Sequence, residues 1–160
     1  MNIRPWATGL LLLALGQQAA WAQTARLDDS TSPRAMVQAD LAHAQPLDAY
    51  LLRMPMGRVT YRLATAPYQG RRARIYYVVP MQIQGLRSPA DLRVEWRTGG
   101  LFASGSARPG MRVPVWTGMV AGPWMNESLD LDFIVDARGL QGGRAAPLSF
   151  ESYFEIEVLP

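Results

Sequence analysis

The chain has 160 residues, of which 49% are hydrophobic and 18% charged, and this composition is typical of one globular domain. It contains no Cys and no Lys, since all sixteen basic residues are Arg, and its one His is His43. These absences exclude disulfides, thiol nucleophiles, Schiff-base lysines and metal sites built from Cys or several His. We therefore expect a protein that is not an enzyme and that carries no cofactor or metal.

The N-terminal residues 1–22 have the three parts of a bacterial signal peptide. Arg4 gives the start a positive charge, residues 7–16 form an apolar run with four consecutive Leu, and Ala22 ends a small-x-small cleavage pattern. The apolar run is about ten residues long, whereas a helix that spans a bilayer needs roughly 20. We expect cleavage after Ala22 and export to the periplasm or cell surface of a Gram-negative bacterium, with no transmembrane segment in the mature chain.

The following segment, residues 23–54, is predicted to be a polar leader with a short ordered element. Its second part, residues 35–54, fits two structures. A high Ala content and a preceding Ser-Pro pair favour a helix, because Ala has a high helix propensity and Pro suits the first helical turn. The alternation of Val37, Ala39 and Leu41 with polar residues also fits a strand, which could pair with an open sheet edge of a partner copy.

From residue 55 to residue 160 apolar and polar residues alternate with a period of two, which is typical of strands with one buried face. The regular strands are 92–96, 129–135 and 150–158, and the less regular ones are 58–65, 74–84 and 111–117. Six or seven short strands separated by Gly- and Pro-rich loops predict an all-β domain, an antiparallel immunoglobulin-like β-sandwich, with a closed barrel as the alternative. The predicted core residues are Trp96, Leu131, Phe133, Phe154 and Ile156.

Charge is distributed unevenly along the predicted domain. Residues 53–112 carry eleven Arg against two carboxylates, a formal charge of +9, whereas residues 113–160 carry two Arg against seven carboxylates, a formal charge of −5. The simpler explanation is that basic and acidic strands sit side by side and pair across one sheet. The other explanation is a molecule with opposite poles that associates head to tail or docks an oppositely charged partner. A nucleic-acid partner is not expected.

The strongest candidate for a binding surface is the loop 118–127, where apolar residues lie among Gly and Pro. Met and Trp are enriched at interfaces, so such a loop at the end of a sandwich can form a recognition patch. The candidate patch residues are Met119, Val120, Trp124 and Met125, joined by Leu101 and Phe102 from the loop 98–110. The alternative is that these side chains fold inward and close the end of the core. Trp124 and Trp116 could also stack on sugar rings, which would make a glycan the partner.

Other groups of polar residues give weaker evidence for a functional site. Asp130, Asp132 and Asp136 lie at even spacing on one predicted strand, and hard oxygen ligands of this kind can hold calcium. No loop with the spacing of a calcium site accompanies them, so we interpret them as the solvated face of the strand. His43 lies outside the predicted strands among Ala residues and is interpreted as a surface residue.

These observations predict an exported, non-catalytic protein that works through protein–protein contacts. It would be a subunit or an accessory or assembly factor of a bacterial cell-surface or periplasmic complex, of the kind found in fimbriae, with protein partners or self-association. The alternative is a β-sandwich module that binds a carbohydrate or another small ligand.

Overall fold

A computed structural model describes residues 23–33, 43–141, 148–149 and 151–160 of the chain. The predicted signal peptide and the segment 34–42, with Val37, Ala39 and Leu41, lie outside the described residues. The strands in the described ranges are Thr24–Arg26 (β1), Gln45–Pro46 (β2), Leu51–Ala64 (β3), Arg72–Val78 (β4), Leu92–Arg97 (β5), Gly105–Ala107 (β6), Arg112–Met119 (β7), Trp124–Asp136 (β8) and Tyr153–Val158 (β9). Short 3-10 turns at Ala66–Tyr68, Pro89–Asp91 and Ala137–Gly139 complete the regular structure, and no helix within these ranges is long and apolar enough to cross a membrane.

The strands form two antiparallel sheets. The four-stranded sheet has the order β1-β9-β4-β7, and the five-stranded sheet has the order β2-β3-β8-β5-β6. The two sheets enclose one hydrophobic cluster, so the prediction of an all-β, sandwich-like arrangement is confirmed at this level. The structure has more strands than expected because β1, β2 and β6 are only two or three residues long. Strands this short show no hydrophobic period in a sequence.

The core is built from the inward positions of the long strands. All five predicted core residues are buried: Trp96, Leu131, Phe133, Phe154 and Ile156 are each at most 3% exposed. The ring of Phe154 lies at the centre, with its centroid 4.9 Å from that of Tyr61 and 5.3 Å from that of Tyr77. These distances are in the range at which aromatic pairs add to the stabilisation from burial.

Part of the predicted leader belongs to the sandwich. Strand β1 pairs with β9, Leu27 is 1% exposed, and the Ala64 amide donates to the Asp28 carbonyl at 2.9 Å. Residues 43–54 contain β2 and the start of β3 rather than a helix. The two sheets therefore include residues on both sides of the boundary predicted at 55. An edge strand of two or three residues is held by pairing with its neighbour, and it shows no hydrophobic pattern in the sequence.

Charged side chains pair across the outer faces of both sheets. Arg58 on β3 lies directly opposite Asp130 on β8, and its Nε donates to Oδ1 at 3.0 Å. Further ion pairs are Arg97–Asp132 at 3.2 Å and Arg93–Glu95 at 2.7 Å on the same sheet, and Arg112–Glu155 at 2.7 Å on the other. The uneven charge along the sequence is therefore largely matched within each sheet, in favour of the simpler explanation.

Candidate functional site

The six predicted patch residues divide into two groups in the structure. Leu101, Met119 and Trp124 are 69%, 58% and 40% exposed. Val120, Met125 and Phe102 are at most 9% exposed and belong to the core cluster. The exposed group can contact a partner, and the buried group closes the end of the core.

The buried members of this set are held by specific neighbours. The Val120 amide donates to the Arg71 carbonyl at 3.0 Å, which continues the pairing of β4 and β7 beyond their ends. Met125 occupies an inward position of β8 opposite Leu63, and the ring of Phe102 lies 5.6 Å from that of Phe154. Their apolar side chains therefore contribute to stability rather than to an exposed surface.

Glu127 fixes the loop that carries Leu101. It occupies an inward position of β8 and is 5% exposed. Its Oε2 accepts the amides of Leu101 at 2.7 Å and Phe102 at 2.9 Å, and its Oε1 accepts the Ser128 amide at 3.0 Å. Hydrogen bonds to an ionised acceptor are stronger than those between neutral groups, and they satisfy a carboxylate that burial would otherwise destabilise. The loop is therefore held in one conformation from inside the sandwich.

A polar groove of about 360 Å³ lies on the outer face of the five-stranded sheet beside this loop. Thr60, Asn126 and Ser128 line it from β3 and β8, and the backbone at Gly99 and Gly100 lines it from the loop. Thr60 Oγ1 and Ser128 Oγ are 3.0 Å apart, so the two hydroxyls share one hydrogen bond. We call this concavity the polar groove.

The Arg58–Asp130 pair also lines the polar groove. Two nearly parallel hydrogen bonds, Nε to Oδ1 at 3.0 Å and Nη2 to Oδ2 at 3.1 Å, join the guanidinium to the carboxylate. The hydrogen bond from Arg58 lowers the pKa of Asp130 below its ordinary value, so both groups stay charged near neutral pH. The pair therefore brings opposite charges that compensate each other.

Trp124 lies on the same outer face, two residues before Asn126 on β8. The guanidinium carbon of Arg62 is 4.4 Å from the centroid of the Trp124 ring, which is within the range of a cation–π contact. This contact restrains an aromatic side chain that is otherwise partly exposed.

Within the described ranges, no group of three His, Asp or Glu side chains is arranged to hold a metal ion. Asp130, Asp132 and Asp136 each form an ion pair with an Arg, which explains their even spacing on β8 without a cation. His43 is exposed and precedes β2.

Sequence reasoning missed both Glu127 and the polar groove. The amides that bind Glu127 lie 25 and 26 positions earlier in the chain, so no local sequence pattern predicts the contact. The sequence pattern indicates only a solvated strand face or a loop for the groove residues on β8, and the concavity arises from the position of Gly99 and Gly100 beside them.

Comparison with known proteins identifies no relative. No protein family matches the chain, and neither a curated protein nor a solved structure matches it.

Proposed function

We propose that the chain is an exported, non-catalytic interaction module, a subunit or assembly factor of a bacterial cell-surface or periplasmic complex. Its contact surface would be formed by Leu101, Met119 and Trp124, which we call the apolar rim. The observation that carries the proposal is their exposure of 69%, 58% and 40%, at positions in or beside the connections that follow β5 and β7. Large apolar side chains that remain exposed can mark an interaction site.

The support of the apolar rim favours binding. The backbone of Leu101 is held by the buried Glu127 carboxylate, and the Trp124 ring is held by Arg62. A surface that is already ordered loses less conformational entropy when a partner docks, so more of its contact energy appears as affinity. Trp and Met are also enriched at protein interfaces.

Two further parts of the proposal concern fold class and export. The relative order β2-β3-β8-β5 resembles the A-B-E-D order of an immunoglobulin sheet, and this partial agreement is the support for an immunoglobulin-like classification. The order β1-β9-β4-β7 of the other sheet departs from the C-F-G order. Export rests on the signal-peptide pattern of residues 1–22. Mass spectrometry of the protein from its own cells should find Gln23 at the N-terminus, and an uncleaved Met1 in the cell interior would contradict export.

Site-specific photo-crosslinking in the native cells tests the apolar rim. A photoreactive residue at Leu101 or Met119 should give a discrete protein adduct, either with a partner or with a second copy. Ser106 is the matched control, because it is exposed on β6 of the five-stranded sheet and makes no side-chain hydrogen bond within the described ranges. Adducts of equal yield from all three positions, or none from the apolar rim, would refute the proposal.

A further inference from the structure

The polar groove results from the way β8 extends past its neighbour. Strand β5 ends at Arg97, which lies opposite Asp130, whereas β8 reaches back to Trp124. The loop after β5 stays beside the part of β8 that extends past β5, because its Leu101 and Phe102 amides donate to the Glu127 carboxylate. The result is a concavity of about 360 Å³ between this loop and β3. That volume lies within the range of about 300–1,000 Å³ found for small-molecule sites.

We propose that the polar groove binds a neutral carbohydrate. This ligand class differs from the protein partner of the apolar rim, and the inference does not depend on that partner. Three properties of the groove favour such a ligand: its charge, its hydrogen-bonding groups and the glycine at its wall.

The charge of the groove favours a neutral ligand. Arg58 and Asp130 are its charged side chains open to solvent, and their bidentate contact compensates one charge with the other. Glu127 is turned inward and its carboxylate is occupied by backbone amides. An anion or a cation would therefore have to break the Arg58–Asp130 pair to gain a counter-charge, whereas a neutral ligand keeps it intact.

The hydrogen-bonding groups of the groove suit sugar hydroxyls, which both donate and accept. The side-chain amide of Asn126 offers two donors and one acceptor and makes no hydrogen bond to the described part of the protein. Thr60 and Ser128 share a single hydrogen bond between their hydroxyls, so each keeps unused capacity. Three neutral polar side chains thus lie side by side on two adjacent strands.

Gly99 lines the groove although the local structure does not require a glycine. Its φ is not positive, and a Cβ placed there would meet no atom within 4 Å. A larger side chain would therefore be tolerated by the backbone and would extend into open space at the wall of the groove. Gly100 differs, because a Cβ there would collide with Glu127. The position of Gly99 supplies a way to fill the groove while leaving the fold intact.

The test compares the purified protein with three variants. Gly99→Leu fills the groove, Asn126→Ala removes its free amide, and Ser106→Leu is the control for an added apolar side chain on the same sheet. The probes are the neutral trisaccharides cellotriose, maltotriose and tri-N-acetylchitotriose, with the acidic trigalacturonate for comparison. Binding is followed by saturation-transfer NMR and by titration of the protein amide signals, which also report whether each variant is folded.

We expect at least one neutral trisaccharide to bind saturably and to shift the amide signals of residues 126–128. Gly99→Leu should abolish this binding, Asn126→Ala should weaken it about tenfold, and Ser106→Leu should leave it unchanged. The proposal is overturned if no neutral probe binds saturably, if trigalacturonate binds more tightly than every neutral probe, or if Gly99→Leu binds as well as the unmodified protein.

Discussion

The carboxylate of Glu127 occupies the space that a side chain at Gly100 would need. A Cβ built on Gly100 would lie 2.2 Å from Glu127 Oε1, far inside van der Waals contact. The glycine and the buried acid therefore form one unit: the acid can reach the amides of the loop only because residue 100 has no side chain.

This relationship predicts different effects for two neighbouring glycines. Gly100→Ala should lower the free energy of unfolding by about 1–3 kcal/mol, the usual cost of overpacking a well-packed site. Gly99→Ala should change it by less than about 0.5 kcal/mol, because its Cβ meets no atom within 4 Å. Urea denaturation of both variants measures the difference. Equal stabilities would show that Glu127 does not hold the loop in this way.

The central position of Phe154 predicts a large loss on truncation. Phe154 is fully buried and its ring contacts those of Tyr61, Tyr77 and Phe102. Phe154→Ala should lower the free energy of unfolding by about 3–5 kcal/mol. The adjacent Tyr153→Ala, on the outer side of β9, should cost about 1 kcal/mol and serves as the control. A reversed order of the two effects would mean that the register of β9 is wrong, since a one-residue slip exchanges its faces.

Two buried tyrosines should respond differently to loss of the hydroxyl. The Oη of Tyr61 lies 3.1 Å from Ser152 Oγ, whereas the buried Oη of Tyr77 makes no hydrogen bond of good geometry to the described residues, although Tyr61 and Ser152 lie close enough to influence its pKa. Burial also raises the pKa of Tyr77 well above its ordinary value, so its hydroxyl stays protonated and polar in the core. Tyr61→Phe should therefore destabilise the protein by about 1 kcal/mol, whereas Tyr77→Phe should be neutral or stabilising. Thermal denaturation measures both, and a larger loss for Tyr77→Phe would contradict the assignment.

The ionisation of Asp136 should make the stability of the folded protein depend on pH in the acidic range. Side-chain hydrogen bonds from Arg138 lower the pKa of Asp136 from 3.8 to about 2. Because the folded-state pKa is depressed, its stabilising contribution is present above the unfolded pKa and is lost as the pH falls through that of the folded state. The melting temperatures of the unmodified protein and Asp136→Asn should therefore converge between about pH 4 and pH 2. An NMR titration in Arg138→Gln should find the Asp136 pKa nearer to 3.8, and an unchanged value would exclude Arg138 as the cause.

The strands that could be predicted from the sequence are those with one face on the core. β5 and β9 alternate along their whole length, and the predicted core residues on them are buried. For β8 the alternation predicts a strand only from Leu129, although the strand begins at Trp124. Glu127 is the inward residue that interrupts the apolar pattern of β8. A charged residue at such a position indicates a loop in the sequence, because the amides that bind its carboxylate belong to a distant segment.

The candidate site was harder to predict than the core. Exposure of Leu101 and burial of Phe102 follow from the direction in which the loop turns, and Glu127 determines that direction from another strand. The sequence identifies the apolar residues, but it contains no periodicity in this loop from which their orientation could be read. The polar groove also depends on tertiary contact, because its walls come from three separate segments.

The pairing of β3 with β8 has a consequence for the time course of folding. Arg58 and Asp130 meet across a separation of 72 positions, and Thr24 on β1 lies opposite Glu157 on β9. Contacts between distant residues pay a large loop-closure entropy before they contribute stability, so such topologies fold slowly. As the chain emerges from the ribosome, β3 is complete long before its partner exists, and the edge that will meet β8 stays open until some 70 further residues have been made. Synthesis therefore leaves an interval in which β3 has been made but the sheet that surrounds it cannot yet form.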